Sequence, residues 1–265
     1  MIPLFTLDFT YPIVPFPHLP HGEVFRYDYL DSRTITWSKS MIEEQMQQSR
    51  SGTLGGSYGV DPTNEVRQKL QQLPIENARV LVIGSERPWL EAILLSLGAA
   101  HVVTLEYSTI ESQHPQISTL TPAMFRQKFM DGTLEPFDIV ATHSSLEHSG
   151  LGRYRDALNP WGDLLAVARA WCVTKPNGYL YLGIPTAMDG IEYNAHRWYG
   201  KHRWPLITAN WKPLVPEDRA PAYPPGPQGK PAKLTTFSDG TEFRRLYGDT
   251  PDNGGDGFLF QRISS

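Results

Sequence analysis

Polar side chains that can hold a ligand or move a proton follow three apolar runs of the sequence. These groups are Gly84-Ser85-Glu86, Glu106-Tyr107 and Thr142-His143-Ser144-Ser145-Leu146-Glu147-His148. In an open α/β sheet the carboxyl ends of the parallel strands lie along one edge, and ligands bind just beyond that edge. If the three runs are parallel strands, the three groups form one site.

Glu106 is the most informative of these residues. A carboxylate at the end of a second strand can accept hydrogen bonds from both ribose hydroxyls of an adenosine cofactor. Glu106 lies roughly 20 residues after Gly84, the spacing expected between a glycine turn and a ribose-binding acid. The alternative is a carboxylate that is simply solvated.

Three histidines, His143, His148 and His196, are candidate bases. The unperturbed pKa of histidine lies near neutrality, and a positioned base typically raises a rate about 10²–10⁴-fold. Glu147 would orient His148 or cap the next helix. The one metal set that we considered is Asp189, Glu192, His196 and His148. Its spacing matches no compact ligand pattern, so we predict no metal.

The elements that must position these groups alternate between strand and helix patterns. Continuous apolar runs of this kind are typical of parallel strands buried on both faces. The predicted strands are 79–84, 101–106, 116–120, 137–142 and 179–184. The predicted helices are 61–73, 88–97, one that begins at 121 and one that begins at 163. Asp61, Thr121 and Asp163 are the residues expected to start three of these helices. Lys175-Pro176-Asn177-Gly178 is predicted to be a tight turn. This order predicts a Rossmann-like, doubly wound, mainly parallel α/β sheet.

The ends of the chain differ in composition from the middle. Residues 1–60 form an N-terminal extension that contains a short predicted helix at 40–49 and ends in a glycine-rich segment, which would be a lid or a simple connector. Residues 61–265 form the α/β domain, including a proline-rich insertion around 215–235. The runs at 207–214 and 257–263 are expected to form an antiparallel edge of the same sheet.

The overall composition limits the function classes. The 265 residues carry a net charge of −4, and this balance gives no reason to expect nucleic acid, which requires concentrated positive charge. The apolar N-terminal segment is interrupted by prolines, so we expect no membrane span. A cytoplasmic location is the default. The single cysteine, Cys172, is expected to be a buried thiol.

At this level the sequence resembles the class I S-adenosylmethionine-dependent methyltransferases. The motifs that carry the resemblance are Val80-Leu81-Val82-Ile83-Gly84, Leu105-Glu106, Phe137-Asp138-Ile139-Val140, Ser145-Leu146-Glu147-His148 and Lys175-Pro176-Asn177-Gly178. Three further segments resemble a domain of unknown function, DUF268, within that superfamily. They are Gly84-Ser85-Glu86-Arg87-Pro88-Trp89, Asn159-Pro160-Trp161-Gly162-Asp163 and Asn194-Ala195-His196-Arg197. The resemblance covers roughly residues 60–210.

The resemblance implies S-adenosyl-L-methionine as cofactor and assigns residues to it. The cofactor-binding residues would be Gly84, Ser85, Glu86, Glu106, Tyr107, Thr142, Ser144 and Ser145, and the catalytic residues would be His148, Glu147, His143 and His196. Four positions depart from the family pattern: Val82 replaces an acidic residue, and Glu86, Pro88 and Trp89 replace the usual further glycines. Glu86 would then be the acidic partner of the methionine amino group.

Three functions fit these observations. The first is a methyltransferase acting on a small-molecule or glycan-like acceptor at oxygen. The second is a methyltransferase-like binding or scaffolding module without catalysis, in which Trp89 would fill the methionine pocket. The third is a nicotinamide-dependent enzyme on the same type of sheet, although a GxGxxG turn is missing after the first strand. The sequence leaves the acceptor and the oligomeric state open.

Overall fold

The computed structural model describes residues 2–5, 13–15, 34–154, 156–186, 189–214, 233–236, 242–245 and 256–263. The helices are α1 (Ile2–Phe5), α2 (Lys39–Ser51), α3 (Val60–Leu70), α4 (Trp89–Ser96), α5 (Pro122–Met130), α6 (Gly162–Val173) and α7 (Trp204–Ile207), with a 3₁₀ turn at Leu146–His148. The strands are β1 (Ile13–Pro15), β2 (Ile35–Trp37), β3 (Arg79–Ile83), β4 (His101–Leu105), β5 (Ile110–Ser112), β6 (Ile117–Leu120), β7 (Phe137–His143), β8 (Thr174–Ile184), β9 (Gly190–Tyr193), β10 (His196–Trp198), β11 (Trp211–Pro213), β12 (Lys233–Thr236), β13 (Glu242–Arg245) and β14 (Asp256–Arg262).

Within the described residues, the central sheet has seven strands in the order β11-β14-β8-β7-β3-β4-β6. β3, β4, β6, β7 and β8 run parallel, and β14 runs antiparallel to both β8 and β11. Taken in chain order, the five parallel strands have the 3-2-1-4-5 arrangement of a doubly wound sheet. The predicted Rossmann-like fold is therefore confirmed, including its antiparallel C-terminal edge.

The strand order reverses between β3 and β7. The chain adds β4 and β6 on one side of β3, and then returns to add β7 and β8 on the other side. A crevice opens at such a switch point, beyond the carboxyl ends of the strands. The loops after Ile83, Leu105 and His143 border this crevice, and they are the loops that carry the predicted site.

Side chains of the parallel strands alternate between two apolar cores, because successive residues of a strand point to opposite faces. Val80 and Val82 of β3 join the core that contains residues of α2 and α4. Leu81 joins the second core, which contains residues of α6. Burial on both faces explains why these strands are continuous apolar runs in the sequence.

The residue that caps the N-terminus of α5 was predicted from the sequence, whereas the one that caps α3 was not. Thr121 caps α5 as predicted: its hydroxyl accepts a hydrogen bond from the backbone N–H of Met124 at 3.4 Å. The prediction that Asp61 caps α3 is wrong: Gly59 is the N-cap residue and the helix begins at Val60, so Asp61 lies in the first turn. A carboxylate there still interacts favourably with the helix dipole.

The prediction that Asp163 caps a helix is wrong. α6 begins at Gly162, and its N-cap residue is Trp161. The Asp163 carboxylate is fully buried and lies 2.6 Å from Nη2 of Arg203. Its partner comes from a segment 40 residues away, which a local helix pattern does not reveal.

Two other local predictions differ from the structure. The expected turn at 175–178 is an irregularity within the continuous strand β8, where pairing passes from Phe137–Thr174 to Ile139–Tyr179. Asn177 supplies the positive φ of 61° that this irregularity uses. The strand expected at 207–214 is shorter, because α7 ends at Ile207 and only Trp211–Pro213 pairs with β14.

The predicted N-terminal extension and the proline-rich insertion can be compared with the structure only in part. Residues of the predicted extension join the main core, since Ile42 and Leu54 pack in the same cluster as Val80. Residues 215–232, with most of the expected proline-rich insertion, lie outside the described residues.

Cys172 is exposed, against the prediction, because α6 turns Ala170 and Val173 toward the core instead. None of the helices described here has the length and apolar character needed to cross a membrane.

Candidate functional site

A cavity of about 920 Å³ lies at the switch point. Most of the residues singled out in the sequence line it. They are Gly84, Ser85, Glu86, Glu106, Tyr107, His143, Ser144, Ser145 and His148. The loops after β3, β4 and β7 therefore converge on one space, as expected for an open α/β sheet.

The turn after β3 is tightly packed against the loop after β7. Gly84 has a φ of 75°, and a Cβ atom there would lie 1.8 Å from Oγ of Ser145. Only glycine meets both demands without strain. Ser144 beside it has a φ of 49°, and its hydroxyl donates to Oε1 of Glu147 at 2.7 Å. A non-glycine residue with positive φ often marks a functional site.

Glu106 ties the first two loops together. Its Oε2 accepts the backbone N–H of Ser85 at 2.9 Å, and its Oε1 accepts the N–H of Tyr107 at 2.6 Å. Burial raises the pKa of the Glu106 carboxyl, and these N–H donors oppose that rise. A carboxylate offers about four acceptor positions, so Glu106 retains capacity for further donors in the cavity.

His143 belongs to an aromatic wall of the cavity, formed by Tyr58, Trp89 and His143. The His143 ring makes edge contacts with Trp89 at 5.5 Å and with Tyr58 at 5.7 Å between ring centroids. Nδ1 of His143 lies 2.8 Å from the hydroxyl of Tyr181. A Cβ atom at Gly183 would lie 2.2 Å from the same nitrogen, so glycine at 183 makes room for the ring.

His148 has a defined tautomer. Its Nδ1 lies 2.6 Å from the backbone oxygen of Ala195 and 3.3 Å from Nη1 of Arg153. The shorter contact is with a carbonyl oxygen, which can only accept, so we assign the hydrogen to Nδ1. Burial, followed by the positive charge of Arg153, holds the pKa of His148 well below its ordinary value. The ring is therefore neutral near pH 7, and Nε2 has a lone pair available to take up a proton.

The loop that carries His148 is fixed by a buried arginine. Nη1 of Arg197 donates to the backbone oxygens of Glu147, at 3.3 Å, and Ser149, at 2.6 Å. Asp163 lies beside this arginine and also binds Arg203 through two hydrogen bonds of 2.6 and 2.8 Å. Burial opposes ionisation of Asp163, but Arg197 and Arg203 lower its pKa overall.

Three of the predicted site residues do not line the cavity. Thr142 is fully buried, and its hydroxyl donates to the backbone oxygen of Ile83 at 3.0 Å, which links β7 to β3. Glu147 is also buried, with Oε1 3.7 Å from Nε2 of His148. His196 lies behind His148, with 6.2 Å between the ring centroids. Thr142 therefore bonds within the sheet, and Glu147 and His196 contact His148 rather than the cavity.

The residues considered as metal ligands, Asp189, Glu192, His196 and His148, make contacts with other protein groups. Both oxygens of Asp189 accept backbone N–H groups of the loop at 200–203. Glu192 lies 3.9 Å from Nε2 of His196. In the part of the chain that the structure describes, no group of three or more potential ligands is arranged to hold a metal ion.

Sequence reasoning missed residues that the fold brings to the same space. Tyr58 reaches the cavity from the glycine-rich segment, and Arg169 reaches it from α6. Glu91 lies fully buried beneath the turn at Ser85. A signal for Glu91 was present, because it is the one charged residue in the apolar helix α4. The other two gave no local signal.

Solved structures resemble this chain at low identity. The Burkholderia thailandensis 1,6-didemethyltoxoflavin-N1-methyltransferase, solved with 1,6-didemethyltoxoflavin and S-adenosylhomocysteine, is 11% identical, with a TM-score of 0.48 over 84% of this chain and 88% of that one. The Bacillus cereus O-methyltransferase, in complex with S-adenosylhomocysteine, is 14% identical, with a TM-score of 0.37 over 85% and 91%. A candidate hemolysin from Lactococcus lactis is 16% identical, with a TM-score of 0.36 over 46% and 56%, so this chain spans little more than half of that protein. None of these similarities is close enough to transfer an activity.

The family comparison is more specific. A search of curated proteins found no match. A family model described as "Caenorhabditis protein of unknown function, DUF268" matches residues 77–215, which include every strand from β3 to β10 and most of the cavity. Because this match covers more than half of the chain, the protein belongs to the DUF268 family.

Proposed function

We propose that this protein is an S-adenosylmethionine-dependent methyltransferase that acts at oxygen on a small-molecule or glycan-like acceptor, with His148 as the general base. The observation that carries the proposal is that one cavity at the switch point is lined by both Glu106 and His148. Glu106 is a carboxylate that can hold a ribose, and His148 is a neutral base. Both therefore line the same cavity.

The residues present fit an adenosyl ligand. A volume of about 920 Å³ lies within the range of about 300–1,000 Å³ for small-molecule pockets. Glu106 retains acceptor capacity for ribose hydroxyls. Trp89 lines the cavity and does not fill it, and the aromatic wall suits a positively charged sulfur, since aromatic rings attract cations. The open cavity supports ligand binding over a filled methionine pocket.

The mechanism assigns each residue a separate task. S-adenosylmethionine, when bound, supplies a methyl group on a positively charged sulfur. Glu106 holds the ribose, and the loops after β3 and β7 position the ligand. Nε2 of His148 accepts the proton of the acceptor hydroxyl, while Ala195 keeps the hydrogen of His148 on Nδ1. Correct positioning can supply about 7–11 kcal/mol of the barrier, so the base carries only part of the rate.

The glycine-rich segment at 52–59 is assigned the role of a lid in this proposal. It supports Tyr58 at the cavity, 5.7 Å from His143 between ring centroids. Gly56 allows the segment to approach Trp89 closely, because a Cβ atom at Gly56 would lie 3.1 Å from that ring. Loops of this kind commonly close over a bound substrate and exclude water.

A second candidate function is a module that binds an adenosyl ligand at the same site but does not transfer a methyl group. Val82 stands where the family pattern has an acidic residue, and its side chain is fully buried in the core. Val82 therefore gives the ligand no charge partner, which favours a module that binds an adenosyl ligand without catalysis. Binding without methyl transfer is the outcome that would separate this candidate from the first.

The experiment is a transfer assay with methyl-labelled S-adenosylmethionine and a panel of monosaccharides, disaccharides and phenols. We expect His148→Gln to lower kcat about 10²–10⁴-fold while the affinity for S-adenosylhomocysteine is kept. His101→Gln is the control, because His101 begins β4 at the opposite edge of the sheet. Transfer that is unaffected by His148→Gln would refute the role of His148, and binding without any transfer would favour the second candidate.

A further inference from the structure

Glu91 is a carboxyl group without solvent contact that lies directly beneath the turn after β3. It sits in the first turn of α4 and is 0% exposed. Its Oε2 lies 2.9 Å from Oγ of Ser85, and its Oε1 accepts a hydrogen bond from the hydroxyl of Thr104 at 2.7 Å. The proposed mechanism does not use this group.

The hydrogen bonds around Ser85 determine where a proton must be. Oγ of Ser85 lies 2.8 Å from the backbone oxygen of Arg87 as well as 2.9 Å from Oε2 of Glu91. The carbonyl oxygen can only accept, and the hydroxyl has one hydrogen to donate. Both contacts are separate two-centre hydrogen bonds only if Oε2 of Glu91 carries a proton and donates it to Ser85. Otherwise Oγ of Ser85 shares its hydrogen between two oxygens or faces one of them as a second acceptor, which is unfavourable.

The charged neighbours support a neutral Glu91. Desolvation raises the pKa of Glu91 to about 7 against the opposing hydrogen bond from Thr104, and the charge of Glu106 adds to the rise. From the loop after β3, Glu86 and Arg87 are both exposed. The charged residues of α2, which packs against α4, all face solvent; they are Lys39, Glu43, Glu44 and Arg50.

Burial also raises the pKa of Glu106, but the donors around its carboxylate differ from those around Glu91. Both of its oxygens accept backbone N–H groups, from Ser85 and Tyr107, and such donors favour the ionised form. Ser85 thus links the two carboxyls: its hydroxyl contacts Glu91, and its N–H contacts Glu106. When two nearby carboxyls share one proton, their surroundings decide which group keeps it.

We propose that Glu91 is a positioning residue that keeps this proton, so that Glu106 stays ionised and the turn at Gly84 and Ser85 keeps the shape that binds an adenosyl ligand. The ligand in this statement rests on the proposed function. When Glu91 loses the proton at higher pH, the single hydrogen of Ser85 can no longer satisfy both Arg87 and Glu91. Ligand affinity therefore falls as the pH rises through neutrality.

The first test is calorimetric titration with S-adenosylhomocysteine at a series of pH values from 6 to 9. For the wild type we expect the Kd to rise roughly tenfold across this range, the effect of losing one buried hydrogen bond. Glu91→Gln should bind within threefold of wild type at pH 6 and show a flat profile, because its amide can donate to Ser85 and accept from Thr104. Glu111→Gln, an exposed carboxyl on β5, should keep the wild-type profile.

The outcomes separate this inference from the proposed function. A flat wild-type profile, or a Glu91→Gln profile that still rises, would overturn the inference even though the ligand binds. If no variant binds the ligand, the proposed function fails, and NMR titration of the glutamate carboxyl carbons decides the placement of the proton. A resonance that titrates near neutrality and is absent in Glu91→Gln supports it. Titration of Glu91 below pH 5 contradicts it.

Discussion

His148 illustrates how a backbone group sets the chemistry of a side chain. The carbonyl of Ala195 fixes the hydrogen on Nδ1, and burial together with Arg153 keeps the ring neutral. Neither effect is visible in the sequence around His148, because Ala195 lies 47 residues later. The position of the histidine after a strand could be predicted, whereas its protonation state required the fold.

This protonation state predicts the acid side of the pH profile. His148 can act as a base only when it is neutral, and its pKa lies well below 6.5. We therefore expect kcat, measured at saturating S-adenosylmethionine, to stay constant as the pH falls from 7.5 to 6. The value of kcat should begin to fall only below pH 6. A kcat that halves near pH 6.5, as for a solvated histidine, would contradict the assignment.

Gly84 provides a second prediction for a single residue. Gly84→Ala places a Cβ atom 1.8 Å from Oγ of Ser145 at a φ of 75°. We expect a loss of about 2–5 kcal/mol in the free energy of unfolding, from left-handed strain and overpacking together. The matched control is Gly132→Ala, which has a φ of 72° and no atom within 4 Å of the added Cβ. It should lose only about 1–2 kcal/mol in denaturant unfolding, and equal losses in the two variants would contradict the packing argument.

At the scale of elements, the segment from Asp189 to Arg203 holds the loop of His148 against α6. Arg197 binds the backbone of that loop, and Arg203 binds Asp163 at the start of α6. The sequence motifs around Asn159 and Asn194 were recognised as family features, but their physical role was not. The structure shows that these motifs meet in one buried charge cluster, which explains why both motifs contain charged residues.

Removal of one partner from this cluster should be costly. Arg203→Met leaves Asp163 as a buried charge with fewer partners, so we expect a loss of about 3–5 kcal/mol in the free energy of unfolding. Asp163 also faces Arg197, so the pairing is tested in an Asp163→Asn background, where Arg203→Met should cost less because its carboxylate partner is already absent. Lys212→Met, at an exposed position on β11, serves as control in denaturant unfolding. Equal losses from Arg203→Met in the two backgrounds would contradict the pairing.

At the scale of the whole molecule, the sheet could be predicted more accurately than the residues between its strands. β3, β4, β6 and β7 lie within one residue of their predicted bounds, because burial on both faces leaves a continuous apolar pattern. The converging loops followed from sheet geometry alone. Contacts between distant segments could not be predicted, and they include the aromatic wall and the pairing of Asp163 with Arg203.

Glu91 also affects the stability of the whole fold. Its pKa is about 7 in the folded protein and about 4.5 in the unfolded chain, so the folded state binds more protons between these values. Stability from this group is therefore present below pH 4.5 and is lost as the pH rises to 7, by on the order of 3 kcal/mol. We expect the stability of the wild type relative to Glu91→Gln, measured by denaturant unfolding, to decrease over this window. A constant difference between the two would contradict a raised pKa.

The most direct measurement of the central claim is a calorimetric titration of the full chain with S-adenosylhomocysteine at pH 6.5. We predict saturable binding by the wild type and by the Glu111→Gln control. Glu106→Gln should bind at least about tenfold more weakly, a change of about 1.4 kcal/mol, because an amide cannot accept from Ser85, Tyr107 and a ribose together. An absence of binding by the wild type, or equal affinity of Glu106→Gln and the wild type, would contradict an adenosyl-ligand site at the switch point.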